Sequence, residues 1–105
     1  MHATLELRET PTSTDACTLA VAGELDIGTA PRFRTKVSTL MGIGCRHVSV
    51  DLSEATFLDS SGLGAIVWAA HRLQAAGGDL TLVDASDAVA STLEVTGVGP
   101  LLGLP

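Results

Sequence analysis

Positive charge is scarce in this chain. Six Lys and Arg residues stand against twelve Asp and Glu, a formal net charge of -6 over 105 residues. A surface of that sign repels phosphate, whereas a nucleic-acid binder must meet the backbone with clustered Lys and Arg. Direct binding to DNA or RNA is excluded on that ground. Long apolar runs are missing as well. None approaches the ~18 residues needed to cross a bilayer, and no N-terminal segment joins a basic region to an apolar one. The chain is therefore expected to be cytoplasmic, untargeted and free of membrane insertion. Cysteine occurs twice, at Cys17 and Cys45, without C-x-x-C spacing,. Pairing is open to them in principle, but two buried, reduced thiols are the expectation. Neither an internal repeat nor a low-complexity linker is present, so residues 1–105 are read as one domain with one modest core.

What is there alternates between the two main periodicities. Leu5 and Leu7 alternate with polar neighbours over Thr4 to Arg8, and a second run covers Cys17 to Ala22. A polar turn from Thr10 to Ala16 separates them, which makes a β-hairpin the natural pairing. Gly23 then breaks the run, and G-E-L-D (Gly23 to Asp26) leads into Ile27 and Gly28. Thr29 to Met41 is predicted to be a helix. Its cap lies near Gly28 or Thr29, Pro31 falls in the first turn where a missing N–H costs nothing, and Phe33, Val37 and Leu40 share a face. Arg32, Arg34 and Lys36 concentrate half of the basic residues on this helix. They are read as a solvated outer face, with steering of an acidic partner as the alternative.

His47 to Leu52 is a third predicted strand, apolar at Val48, Val50 and Leu52. A helix follows, with Leu63, Ile66, Val67, Ala70 and Leu73 forming one apolar stripe and Gly77 and Gly78 stopping it. Trp68 lies off the stripe, either as a contact surface or packed beneath a neighbouring helix. Asp79 to Val83 is a fourth strand. Asp84 and Ser86 are candidate caps of a helix that covers Ala88, Val89, Leu93 and Val95, and the tail from Gly97 carries too many breakers for another long helix.

The stretch from Val50 to Gly64 joins the third strand to the second helix. Asp59 and Ser60 are good N-cap residues there, because their side-chain oxygens accept from the unpaired N–H groups of a first helical turn. The helical pattern opens at Ser61. Gly62 and Gly64 stand in its first turn although each costs up to about 1 kcal/mol relative to alanine. Small residues beside a hydroxyl leave its Oγ reachable by another protein, at a helix entrance that favours negative charge.

F-L-D-S-S-G-L-G (Phe57 to Gly64), with G-E-L-D and with V-D-L-S at Val50 to Ser53, resembles the STAS domain family, specifically the bacterial anti-sigma factor antagonists. The likeness runs through nearly the whole chain in order and spacing. It implies an α/β fold, a single domain with a mixed four- to five-stranded sheet covered by three to four helices. It also implies that Ser60 is phosphorylated by a partner anti-sigma factor that is itself a serine kinase, and reset by a separate serine phosphatase. The unmodified form would bind the anti-sigma factor and release its sigma factor. The surface that does so would comprise Gly23, Glu24, Asp26, Asp59, Ser61, Gly62, Leu63 and Gly64. Members of the family usually continue into a further C-terminal helix, which the tail here does not suggest.

Other chemistries find less support. A serine nucleophile would want G-x-S-x-G, but Leu58 stands two positions before Ser60, and His2, His47 and His71 are not tied to this turn by spacing. Cys45 and His47 alternate on a strand without further metal ligands. G-I-G-C at Gly42 to Cys45 lacks the rest of either phosphate-binding glycine pattern, so no cofactor is expected and ATP would be held by the partner kinase. A non-enzymatic role follows. A constitutive interaction subunit of a stress-signalling or lipid-transport complex is the alternative.

Overall fold

The computed structural model describes residues 4–104, in which four strands and four helices follow one another as β1 (Leu5–Pro11), β2 (Ala16–Leu25), α1 (Ala30–Gly42), β3 (His47–Leu58), α2 (Ser60–Ala75), β4 (Asp79–Ala85), α3 (Asp87–Thr96) and α4 (Val98–Leu101). The strands form one mixed sheet in the order β1-β2-β3-β4. β1 and β2 make the expected hairpin, antiparallel from Leu5 opposite Gly23 to Pro11 opposite Cys17. β2, β3 and β4 run parallel, each crossover being made by a helix. A mixed sheet of this size with helical crossovers is the α/β class that the residue periodicities imply.

One face of the sheet carries the core. Leu19, Val21 and Leu25 of β2, Val48, Val50 and Leu52 of β3, and Leu80 and Leu82 of β4 are buried there. Against them stand Phe33, Val37 and Leu40 of α1 and Ile66, Ala69, Ala70 and Leu73 of α2. α1 packs on α2, α2 on β4, and α3 on β3. Intervening residues such as Thr18, Ala20, Ser49 and Asp51 are only half-buried on the other face. Arg8 reaches across that face to Glu54 at 2.8 Å. Both edges are blunted against further pairing. Charged side chains and Pro11 line β1, with Lys36 of α1 bridging to Glu9 at 2.7 Å. On β4, the Leu82 N–H is taken by the Leu102 carbonyl at 2.7 Å.

Several boundaries depart from the sequence reading. β3 runs six residues past Leu52, to Leu58. Its burial loses strict alternation there, with Ala55 and Leu58 inside but Ser53, Glu54, Thr56 and Phe57 outside, and register shifts against β2 accompany the change. A period-2 pattern stops at Leu52 for that reason. Gly23 does not end β2. It sits at one of those shifts with φ +99°, and a Cβ there would come 2.3 Å from the Thr4 carbonyl. The buried stripe of α2 includes Ala65 and Ala69, while Leu63 and Val67 are only half-buried. Alanine carries little hydropathic signal, so close helix packing at these positions was not legible.

At the C-terminal end, α3 spans Ala88, Val89, Leu93 and Val95 as expected, with Val89 and Leu93 buried and Val95 87 % exposed. Neither expected cap holds the entrance of α3. Ser86 occupies the position but turns its hydroxyl to the Ala55 carbonyl, and Asp84 accepts from the N–H of Ala85. The tail adds the single turn of α4, after which Leu102 and Leu104 pack on the core while Leu101 stays exposed. Replacing Leu93 by alanine is expected to cost about 2–5 kcal/mol in urea denaturation, against no more than about 0.5 kcal/mol for Val95→Ala. Equal losses would place Val95 in the core.

Candidate functional site

β2 and β3 run parallel and end side by side, with Leu25 opposite Leu58 and Glu24 opposite Phe57. G-E-L-D and D-S-S-G, separated by more than thirty residues in sequence, therefore emerge together at the carboxyl end of the parallel strands. That end is where α/β sheets open their ligand-binding crevices. The helix starts one residue earlier than the pattern suggested. Asp59, not Ser60, is the N-cap, with extended backbone and a carboxylate Oδ1 that accepts from the Gly62 N–H at 2.9 Å. Its other oxygen, Oδ2, accepts from the Ile27 N–H at 3.3 Å. One carboxylate thus caps α2 and pins the G-E-L-D loop to it. Ser60 is left as the first helical residue, exposed, and relieved of the capping role open to it in the sequence.

The glycines of the motif differ in what they do. Gly62 is buried, and a Cβ there would lie 2.2 Å from the Leu25 carbonyl oxygen and 2.9 Å from Leu58 Cδ1. Only hydrogen lets the first turn of α2 seat on the end of β2, so this glycine is explained by packing and not by access to a hydroxyl. Gly64 is exposed and has open space where a Cβ would go. Nothing in the fold requires it. Ser61 and Leu63 are half-buried, and Leu63 packs against the core.

The neighbouring loop is held from within. Asp26 Oδ1 accepts from the N–H groups of Gly28 at 2.9 Å and Thr29 at 3.0 Å. Thr29 is buried. Its hydroxyl donates to the Glu24 carbonyl at 2.8 Å and accepts from the Asp26 N–H at 2.9 Å. Such side-chain-to-backbone bonds fix a turn locally, so Asp26 shapes the loop. Glu24 ties the same strand end to the start of β1, its carboxylate accepting from the Thr4 N–H at 3.3 Å and its own N–H donating to the Thr4 carbonyl at 2.7 Å.

Two residues that the sequence did not single out stand out here. Ile27 is 77 % exposed in the loop that Asp59 pins, and Phe57, two residues before the cap, is 47 % exposed. Both add exposed apolar area beside the motif. Their signal was present in the sequence as apolar residues inside otherwise polar motif segments, but the strand period was lost before Phe57. Trp68 lies further along α2, half-buried, with the Arg72 guanidinium over its ring at 5.3 Å. On α1, Arg32 is exposed and Arg34 half-buried, the latter lining a groove with Trp68.

The other candidates fall elsewhere. His47 begins β3 at the opposite end of the sheet, where its Nδ1 lies 3.1 Å from Asp79. His71 is on an exposed part of α2, eleven residues beyond Ser60 and so roughly 16 Å along the helix axis,. His2 lies outside the described residues. Among the described residues no cluster of His, Cys, Asp and Glu has metal-binding geometry, and no helix is long and apolar enough to cross a membrane.

The hydroxyl exposed at the first turn of a capped helix, beside a loop from a parallel neighbour strand, belongs to a small α/β domain with a mixed four-stranded sheet. A family model described as the STAS domain matches residues 8–104, and the chain belongs to that family. The anti-sigma-B factor antagonist of Listeria monocytogenes is 32 % identical over 102 residues, spanning 97 % of this chain and 88 % of that protein. Among solved structures, an anti-sigma factor antagonist from Mycobacterium paratuberculosis shares the fold with a TM-score of 0.82 at 22 % identity, covering 96 % of this chain and 85 % of the other. The anti-sigma factor antagonist SpoIIAA in its unphosphorylated form gives a TM-score of 0.79 at 24 % identity, over 90 % and 84 % of the two chains.

The two motif glycines generate opposite expectations. Gly62→Ala should destabilise the domain by at least about 1–3 kcal/mol because the Leu25 carbonyl must move. Gly64→Ala should be neutral or raise stability by up to about 1 kcal/mol through helix propensity. Urea titrations of both variants measure this, and a Gly64→Ala penalty as large as that of Gly62→Ala would contradict it.

Proposed function

We propose that the chain is an anti-sigma factor antagonist switched by phosphorylation of Ser60. In the unmodified state it binds an anti-sigma factor and so frees a sigma factor; a phosphoryl group on Ser60 ends that binding. The observation that carries the reading is the exposure of Ser60 at the first position of α2, with Asp59 taking the cap and the two family motifs meeting around it. The relationship to an anti-sigma-B factor antagonist at 32 % identity over nearly the full chain supports the same role.

The switch is an electrostatic one. A phosphoserine adds about -1.5 to -2 charge at neutral pH. At the entrance of α2 that charge meets the positive end of the helix dipole, an interaction worth roughly 0.3–1 kcal/mol, so the modified domain stays folded. Under a docked partner, the same dianion is stripped of water, and an uncompensated buried charge costs several kcal/mol. Only about 2.7 kcal/mol separates tight binding from a hundredfold weaker complex. The interface penalty exceeds the helix gain, and binding is lost while the fold is kept.

The proposed contact residues are those that the family resemblance implies, joined by two exposed apolar neighbours. Ile27 and Phe57 supply exposed apolar area, and Gly23, Glu24, Asp26, Asp59, Ser61, Gly62, Leu63 and Gly64 form or shape the rim around Ser60. Gly64 keeps the approach to the hydroxyl low. The chain acts by binding and not by catalysis: among the described residues, His47 and His71 both stand away from Ser60, whereas a nucleophilic serine would need such a base beside it,. ATP and its magnesium belong to the anti-sigma factor acting as serine kinase, since phosphoryl transfer needs chiefly positioning and charge neutralisation from the catalyst. A serine phosphatase restores the hydroxyl. The role sets the protein in the cytoplasm.

Titration calorimetry with the cognate anti-sigma factor tests the reading. Ser60→Ala should bind as tightly as the wild type and resist phosphorylation, whereas Ser60→Asp should bind roughly 100-fold more weakly with an unchanged far-UV circular dichroism spectrum. With the kinase and ATP, the wild-type mass should rise by about 80 Da, one phosphoryl group. Equal affinities of the two variants would leave the domain a constitutive interaction subunit.

A further inference from the structure

The far end of the sheet from Ser60 holds a pair of groups that the proposed switch does not use. Cys17, at the start of β2, and Cys45, in the link between α1 and β3, lie 28 residues apart in sequence, yet their sulfurs are 2.8 Å apart. Both thiols are free and buried, with 5 % and 6 % of their surfaces exposed. Several independent contacts fix this meeting. The Cys45 N–H is held by the Leu40 carbonyl at 3.0 Å at the end of α1, and the N–H groups of Arg46 and His47 both donate to the Asp15 carbonyl, at 2.7 and 3.0 Å. The link carrying Cys45 is thus tied to the residue two before Cys17. β2 and β3 pair from Ala16 opposite His47 onward, so neither cysteine can drift from the other without breaking the sheet.

We propose that Cys17 and Cys45 form an intramolecular disulfide when the protein meets a two-electron oxidant of the peroxide class. A disulfide has an S–S length of about 2.05 Å, so the sulfurs need to close by less than an ångström. The reaction balances as two thiols plus one hydrogen peroxide giving one disulfide and two waters. The two S–H bonds and the O–O bond break, and one S–S bond forms. The sulfurs together give up two electrons to the peroxide oxygens, and both thiol protons leave in the water. One cysteine becomes a sulfenic acid, releasing the first water, and the other then displaces the second. Burial, with the adjacent Cys45, pushes the Cys17 thiol up to about 12, which keeps its reactive thiolate scarce,. The low exposure of both sulfurs makes the step slow in the native state and restricts it to a small oxidant.

The consequence is a covalent clasp between β2 and the α1–β3 link, made without disturbing the Ser60 end. Such a cross-link restricts the unfolded chain more than the native one. Oxidation therefore raises the stability of the domain and leaves its recognition surface intact.

The full-length wild-type chain, fully reduced and then exposed to hydrogen peroxide, provides the test. The expected product is a monomer lighter by about 2 Da, with both thiols lost to alkylation in denaturant and a crosslinked peptide pair containing Cys17 and Cys45. Its melting temperature should rise by roughly 15 °C, for a loop of this length in a domain of this size, and fall back on addition of dithiothreitol. Cys17→Ala and Cys45→Ala should show neither the mass loss nor the shift. Oxygen addition of about 16 or 32 Da on single cysteines, an intermolecular dimer in place of the monomeric product, or two thiols that still alkylate after peroxide would each overturn the proposal. All of these are read on the wild-type protein, so the result does not depend on the folding of either variant.

Discussion

The carbonyl of Leu25 is the point on which the arrangement of this domain turns. It closes β2, accepts the Asp59 N–H at 3.4 Å, and lies where any side chain larger than hydrogen at position 62 would stand. The second helix is seated directly on the end of the second strand at that contact. Once it is so seated, Asp59 spans two tasks with two oxygens, one on its own helix and one on the loop after β2. Thr29 and Asp26 then lock that loop from inside. The polar groups of this end are satisfied within the chain, and Ser60 remains outside them.

That division lets one end of a small protein be both rigid and modifiable. A serine that capped the helix would have its Oγ bonded to a first-turn N–H and so engaged by the fold. With the cap assigned to Asp59, modification of the neighbouring hydroxyl changes surface charge and little else. The proposed regulation depends on this separation between what holds the helix and what is read by a partner. At the opposite end of the strands, the meeting of Cys17 and Cys45 is independent of it, because the sheet lies between the two ends.

Much of the fold was legible in the residues. The hairpin, the first helix with Phe33, Val37 and Leu40 inward, and the succession of strands and helices along the chain follow from periodicity and from Pro31, Gly77 and Gly78. The reading failed where the signal itself was weak. β3 continues through S-E-A-T-F-L because its neighbour β2 supplies the ladder there, although the alternation that announces a half-buried strand is gone. Ala65 and Ala69 were passed over because burial of a methyl group leaves almost no trace in hydropathy. Val95 stands two residues after Leu93, about 200° round α3, and so faces away from the stripe of Val89 and Leu93.

The site shows the same boundary between local and tertiary information. The chain by itself determined that a hydroxyl flanked by small residues stands at a strand-to-helix turn, that the surface is acidic, and which family the motifs resemble, since each of these is a property of neighbours in sequence. Only the folded structure decided that Asp59 rather than Ser60 caps α2, that Gly62 is there for the Leu25 carbonyl, and that Ile27 joins the same rim. Two cysteines expected to be buried and reduced are so, and the fold brings their sulfurs within 2.8 Å. Each of these depends on which segments a sheet register places side by side, and spacing along the chain does not carry that.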